Sequence, residues 1–577
     1  MLDQIGIEIM WKRLISILDE SAVTMMRTSF SSIIRDFHDF AIAFGDIRGQ
    51  IIAQASLGTP GLAGVLANGI KNFIRIFPPE KLAPGDVLIT NDPWLVSGHN
   101  MDVTICVPIF YQEKLVGFNL NDVHHLDMGG RMGTYECRDA YEEGLRIPPL
   151  KIVKAGEPNE DVFAFIRNNV RVSDKVIGDI RAQITASYTA IKRVRELIDE
   201  LGLEDFNQLM NEILDRSEAN MREKIRQIPS GRYSSSVFVD SVQVNEGPIV
   251  FALTIDVKGD EIVCDFEGTS PQVHLGVNSV LEALTWCYTY FGLKSLINPE
   301  VPNNSGVFRP IAVKAPKGCI LNAEFPAPTI GRVAITYFIP EAVFMAMKEV
   351  LPDKVIAGSG SIPLTSLTCS GQREGKEFLV PIALGAGIGA GKYYDGVNTI
   401  TFPGNVANIP IEVTETEAPV LYTRKEFIVD SGGPGEHRGG MGQEVVFSIY
   451  DSENSLSNPV LVMVRGGRFE YEVPGILGGL GTKRAEMFLN DESIRSGRQH
   501  LLGPGDRITI RLPGGGGYGN PASRNLSAVL DDFQNGLISR EGALSYGVVI
   551  DEQSNLDYEK TERLRQKMKD GLGAEVI

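Results

Sequence analysis

NDPWLVSGHNMDVTICVPIFYQEKLVGFNLNDVHHLDMGG, residues 91–130, decides how the first half of this 577-residue chain is read. It gathers His99, His124 and His125, three of only seven histidines, with several carboxylates. The apolar run 103–110 reads as a buried strand, YQEK as a polar turn and 115–120 as the returning strand of a hairpin. If the hairpin folds about Glu113, His124 falls opposite Asp102, since 113 lies midway between them, and opposed residues in an antiparallel pair sit about 5 Å apart. A slip of one or two positions brings Val123 or His125 there instead, because each single-residue step turns side chains to the other face.

His99 stands three residues before Asp102 in a glycine-containing loop and completes a mixed imidazole and carboxylate set. Such a set suits zinc, with manganese or iron(II) as alternatives, whereas an all-oxygen cage would suit calcium or magnesium. The competing reading is a hydrogen-bonded loop that caps strand ends and binds nothing. Against it stands the cost of burying histidines and carboxylates at apolar strand ends without a shared partner.

Working outward, Ile7, Met10, Leu14, Ile17 and Leu18 give the amino terminus an amphipathic helical rhythm with early acids, unlike a cleavable signal peptide. Residues 40–55, FAIAFGDIRGQIIAQA, read as a strand pair with Asp39 at its mouth. Ile177, Ile180, Ile184, Tyr188, Ile191, Val194 and Ile198 recur at helical spacing up to Gly202, and a second helix at 205–228 is stopped by Pro229. Ile249, Phe251, Leu253, Ile255 and Val257 then alternate strictly, with 262–266 as the hairpin partner beyond a Gly259–Asp260 turn. The expected class is therefore α+β and multi-domain, with mixed sheets. It divides into a metal-binding region with a long helical segment at 1–229, a strand-rich, Gly/Pro-dense region at 230–522 and a helical tail at 523–577.

A formal net charge of -18 argues against nucleic acid or an anionic membrane as partner, both of which demand clustered Lys and Arg. No stretch approaches the ~20 apolar residues that span a bilayer. The six cysteines are scattered without a CxxC pair and read as buried thiols, so a cytoplasmic enzyme is expected.

LGAGIGAGKYYDG at 384–396 imitates a phosphate loop but has Ala386 and Tyr393 where the motif needs Gly and Ser/Thr. SGGPGEHRGGMGQE at 431–444 and LPGGGGYGNP at 512–521 permit close backbone approach. His437 and Arg438 could contact an anion there, although turns of this kind usually keep their charges in solvent. DFEGTSPQ at 265–272 and FPAPTIGR at 325–332 are unusual without a definite chemistry.

In this order, RDFHDFAIAFGD (35–46), NDPW with GHNMD, NDVHHLDMGG, DFEGTSPQ, SGGPGEHRGGMG and PGGGGYGNP resemble the B-subunit family of ATP-dependent hydantoinases and 5-oxoprolinases. That family includes a caprolactamase subunit and subunits of acetone and acetophenone carboxylases. The resemblance implies a partner A subunit of the actin-like kinase type, in a heterotetramer or larger complex. The partner would bind ATP and phosphorylate the substrate, while this chain carries a divalent metal on His99, Asp102 and His124, with Asp39 as fourth ligand from the family pattern alone. It implies a cyclic amide hydrolase, for a hydantoin, lactam or 5-oxoproline ring, in which water on the metal, its pKa lowered from 15.7 toward ~7, attacks the activated carbon. Asp127 or His125 would take the proton or orient a ligating imidazole. The alternative is a subunit of a biotin-independent ketone carboxylase, and a third reading is a non-catalytic scaffold. TPGLAG (59–64) lacks a histidine common in relatives, and VSGH (96–99) replaces a Gly-Gly-Thr-His segment. Both departures imply a roomier or less polar pocket.

Overall fold

The computed structural model of the chain describes residues 3–131, 134–240, 247–451 and 456–569. The chain folds as a multi-domain α+β protein. β1 (Phe40–Gly45), β2 (Ile51–Gln54), β3 (Val87–Thr90), β4 (Asp102–Tyr111), β5 (Lys114–His124), β6 (Leu150–Lys154) and β7 (Glu157–Pro158) form one seven-stranded sheet, ordered β2-β1-β5-β4-β3-β6-β7. The central hairpin β4–β5 explains the near-continuous apolar run, because both of its faces are covered. Val103, Ile105, Val107 and Ile109 share one buried core with Leu14 and Leu18 of the helix Gln4–Thr28 and with Ile177 and Ile180 of the helix Ser173–Leu201. Cys106 and Leu120 face Leu62, Leu66 and Ile70 of the helix Pro60–Ile76.

The hairpin turns through Gln112 and Glu113, both at positive φ (46° and 64°), the twist a two-residue hairpin loop requires. Tyr111 pairs with Lys114, so an unbroken ladder would place Val123 opposite Asp102. An irregularity between Ile109 and Phe110 shifts the register by one residue, and Asp102 pairs with His124. β1 runs antiparallel on the other edge of β5, with Phe40 opposite Val123. Asp39 therefore abuts the end of β5, where the His124 N–H donates to its carbonyl at 3.1 Å.

After the helix Leu203–Arg226 the chain enters a second sheet, ordered β11-β10-β9-β8, from β8 (Gly231–Val239), β9 (Ile249–Lys258), β10 (Glu261–Asp265) and β11 (Ile311–Lys314). The alternating residues of β9 are buried, and they share a core with the helix Phe338–Met347 and with residues of the first sheet such as Ala41 and Leu120. The cut near 230 thus separates two sheets that share one apolar core. β12 (Thr365–Arg373), β13 (Lys376–Leu384), β14 (Val420–Phe427), β15 (Gln443–Ile449), β16 (Val460–Arg465), β17 (Glu486–Leu489), β18 (Glu492–Ser493), β19 (Gln499–Leu502) and β20 (Arg507–Arg511) make two further sheets, β13-β12-β16-β19 and β14-β15-β20-β17-β18. Leu367 and Val462 of the first pack against Phe447 and Ile510 of the second.

The glycine-rich segments stack backbone on backbone. Gly440 N–H donates to Ile388 O at 2.8 Å, Gly515 N–H to Gly440 O at 2.9 Å and Gly516 N–H to Gly358 O at 2.8 Å. A Cβ on Gly439 would stand 1.7 Å from the Gly515 oxygen. In the segment before Lys392, Ile388 N–H and Ala390 N–H donate to the carbonyls of Val397 and Gly516 rather than opening onto a ligand. Arg438 departs from the solvent-facing reading. It is 4% exposed, and its Nε lies 3.1 Å from a carboxylate oxygen of Asp532 in the tail helix Leu526–Gln534. Arg524 bridges the same carboxylate to Asp395. The tail continues as the helices Arg540–Leu544 and Tyr558–Lys569, and residues 570–577 of it lie outside the described residues.

Candidate metal centre

Three side chains converge where the hairpin ends. Asn91 pins the loop before β4 by donating to Asn100 O at 2.6 Å and accepting from Ile147 N–H at 2.6 Å. Gly98, at φ 83°, turns the chain where a Cβ would press on Ala283 and Arg332. His99 and His124 each place a ring nitrogen 2.7 Å from Asp102 Oδ1. The ligand atoms of His99, Asp102 and His124 all lie within 4.8 Å of one another.

The residues fit a divalent ion by a direct observation. His99 Nδ1 lies 2.9 Å from the carbonyl of Ile330, which fixes the ring with Nδ1–H as donor and leaves Nε2 a lone pair. That Nε2 is buried, close to Asp102, and makes no hydrogen bond of acceptable geometry. Two imidazole nitrogens and a carboxylate oxygen form a donor set suited to zinc, manganese or iron(II). Burial, with Arg332 beside it, pushes the His99 imidazolium down to about 4, so the ring is neutral, as a ligand must be, at physiological pH. Burial opposes the charge of Asp102, but His99 and Arg332 more than offset this and hold its carboxyl well below the usual range.

Asp39 lines the same cavity, and its Oδ1 accepts from the Thr59 hydroxyl at 2.9 Å. Burial, reinforced by Asp102, raises its pKa. Its carboxylate is not among the three groups that converge most closely. His125 also lines the cavity and is fully buried, with Nε2 3.0 Å from Gln183 Oε1 of the helix Ser173–Leu201. Gln183 in turn donates to Val103 O at 2.8 Å, so His125 ties the hairpin to that helix. Asp127 does not line the cavity. It accepts from Gly129 N–H at 2.9 Å and ion-pairs with Arg171 at 2.7 Å, latching the loop beyond β5.

The cavity measures about 100 Å³ and has largely apolar walls, among them Leu62, Met101, Leu126 and Val333. Thr59, Gly61 and Leu62 of the departing TPGLAG segment lie on it. Two partners of the site were not assigned from sequence. Arg332, 2% exposed, donates to Asp102 Oδ2 at 2.5 Å. Glu143 is buried, accepts from Thr329 N–H and from Ile330 N–H at 2.6 Å, and so holds the segment whose carbonyl orients His99. Burial pushes the Glu143 carboxyl up to about 7 against those bonds. A charged residue between Ile330 and the apolar run Val333–Ala334–Ile335 was the available signal for Arg332, whereas Glu143 lies in a polar loop without one.

With the fold and the site in view, comparison with known proteins places the chain. The hydantoinase B/oxoprolinase family model matches residues 3–521, and the chain belongs to that family. It is 33% identical over 587 residues, covering 98% of each chain, to a protein of Pseudomonas sp. (strain NS671) named as the B subunit of a "Putative D-/L-hydantoinase". To the beta subunit of the caprolactamase of Pseudomonas jessenii it is 30% identical, covering 95% of this chain and 96% of that one. A crystal structure of the ATP-dependent caprolactamase from Pseudomonas jessenii matches with a TM-score of 0.87 at 29% identity, over 98% of this chain and 100% of that one. A nucleotide-free acetone carboxylase matches with a TM-score of 0.88, over 99% of this chain and 83% of that one, at 18% identity, which shows a shared fold. Among the described residues no helix is long and apolar enough to cross a membrane.

Proposed function

We propose that this chain is the metal-bearing subunit of an ATP-dependent cyclic amide hydrolase, acting on a hydantoin, lactam or 5-oxoproline type of ring. It works with an actin-like kinase-type A subunit in a cytoplasmic heterotetramer or larger complex. The observation that carries this reading is the convergence of His99, Asp102 and His124 on a small apolar cavity, in a chain whose full-length relatives are named as hydantoinase and caprolactamase subunits. The unpaired, buried cysteines fit a reducing compartment. His99, Asp102 and His124, with Asp39 as the fourth ligand, would hold zinc, or manganese or iron(II). Bound there, the ion supplies Lewis acidity and lowers the pKa of water toward ~7.

The partner phosphorylates the amide oxygen at the expense of ATP, which makes the ring carbon electrophilic. Water adds to that carbon, and the C–N bond breaks as the nitrogen takes up a proton and leaves as an amine. A second water releases inorganic phosphate from the resulting acyl phosphate. This chain's part is to exclude bulk water with its apolar walls and to fix the imidazoles. His125, held by Gln183 at the cavity wall, and Asp127, held by Arg171 outside it, position the hairpin end.

The test is to co-purify the chain with its partner and supply ATP with a panel of hydantoins, lactams and 5-oxoproline. ATP-dependent release of a ring-opened product is expected. Incorporation of label from bicarbonate into product would establish a ketone carboxylase instead. Full partner-dependent activity of His99→Ala would leave only a scaffold.

A further inference from the structure

The ligand set accounts for one wall of the cavity and leaves its cations unexplained. Arg332 and Arg465 both line it, from distant parts of the chain. Arg332 spends one nitrogen on Asp102, while its Nε and Nη1 are buried without a partner. Arg465 ends β16, its backbone paired with Ser366 of β12. Its Nε is likewise buried and unpartnered, and among the described residues its guanidinium has no hydrogen bond or carboxylate. Burial, eased only by Tyr135, pushes its pKa down.

Buried guanidinium donors left unmade cost free energy unless a ligand supplies acceptors. The two carboxylates lining the cavity, Asp39 and Asp102, cancel the two guanidiniums, so a divalent ion leaves the cavity with an excess of positive charge. That excess selects an anion. The planar fork of N–H donors selects a phosphoryl or similar oxyanion, because it offers parallel bonds to two oxygens.

We infer that Arg332 and Arg465 form an oxyanion subsite beside the metal ligands that takes the phosphoryl group carried by the activated substrate. The substrate-borne identity of the phosphoryl rests on the function proposed above, but the anion subsite does not. Apolar walls around the arginines favour a phosphate monoester with a hydrocarbon arm over the free ion.

The test uses the full chain, with metal content measured first. Calorimetry should show inorganic phosphate binding to the metal-loaded chain and butyl phosphate binding at least ~10-fold tighter. Arg465→Gln should weaken both at least ~10-fold while metal content and thermal unfolding stay at wild-type values. Arg332→Gln should weaken both similarly. Phosphate affinity within twofold of wild type in Arg465→Gln overturns the subsite, and butyl phosphate no tighter than phosphate overturns the substrate-borne source. Should either variant misfold, the wild type decides. With Mn²⁺ bound, the phosphorus resonance of added phosphate broadens if the subsite exists, and an unbroadened line overturns it. Phosphate binding in a complex that opens no ring would refute the proposed function alone, whereas ring opening without phosphate binding would refute this subsite alone.

Discussion

The hairpin end at Asp102 and His124 and the glycine stack solve opposite packing problems. Around His99, Asp102 and His124, the ends of two paired strands and the loop before them carry polar side chains into an apolar cavity, and the backbone serves as scaffold. Around Gly387, Gly439 and Gly515 the side chains are gone and the backbone itself is the packing surface, each layer hydrogen-bonded to the next. Mutation at the first region should therefore cost chemistry before structure, and at the second it should cost structure outright.

The largest effect tests the stack. A methyl on Gly439 or Gly515 would meet backbone oxygens at 1.7 and 2.0 Å, and backbone cannot yield as a flexible side chain does. Gly439→Ala and Gly515→Ala should each lose at least ~4 kcal/mol or fail to fold. Urea midpoints close to wild type would break the contrast. Next comes Asp102→Ala, where the two regions' rules meet. It should empty the metal site and, by stranding the Arg332 guanidinium in the interior, also cost ~3–5 kcal/mol. Elemental analysis and denaturation read the two losses separately. His99→Ala leaves no such charge and should lower metal far below one ion per chain with the far-ultraviolet dichroism unchanged.

A finer test separates neighbours. His124→Ala should abolish metal retention, while His125→Ala, which removes the contact to Gln183, should weaken metal binding by no more than ~10 to 100-fold. Equal metal content in the two variants would mean that the facing of the hairpin does not select the ligand. The smallest effect is expected at the turn. Glu113→Gly relieves a left-handed φ but adds chain entropy, so stability should move by less than ~1 kcal/mol and metal should stay.

Local pattern carried much of this. The alternation at 249–257 and 262–266 was legible because each strand buries one face, and it became β9 and β10. The apolar repeat from Ile177 to Ile198 was legible because a helix spaces its buried face every three or four residues, and Pro229 marked its successor's end within a few residues of Arg226. Asp102 and His124 were legible as a pair through their symmetric distance from Glu113.

The pairing itself was decided in three dimensions. The two-residue turn at Gln112 and Glu113 would have matched Asp102 with Val123, and the irregularity at Ile109 and Phe110, invisible in a uniformly apolar run, restores His124. Asp39 reaches the site because β1 pairs with β5. Arg332, Glu143 and Arg465 reach it through contacts hundreds of residues away in the chain, or through a backbone carbonyl that has no residue type to read. Sequence determined the strands, the helices and the donor atoms on offer, since these follow from periodicity and from what each side chain brings. Tertiary structure alone decided which donors share a cavity and which cations stand over it, because proximity between distant segments is set by packing and register and leaves no trace in local spacing.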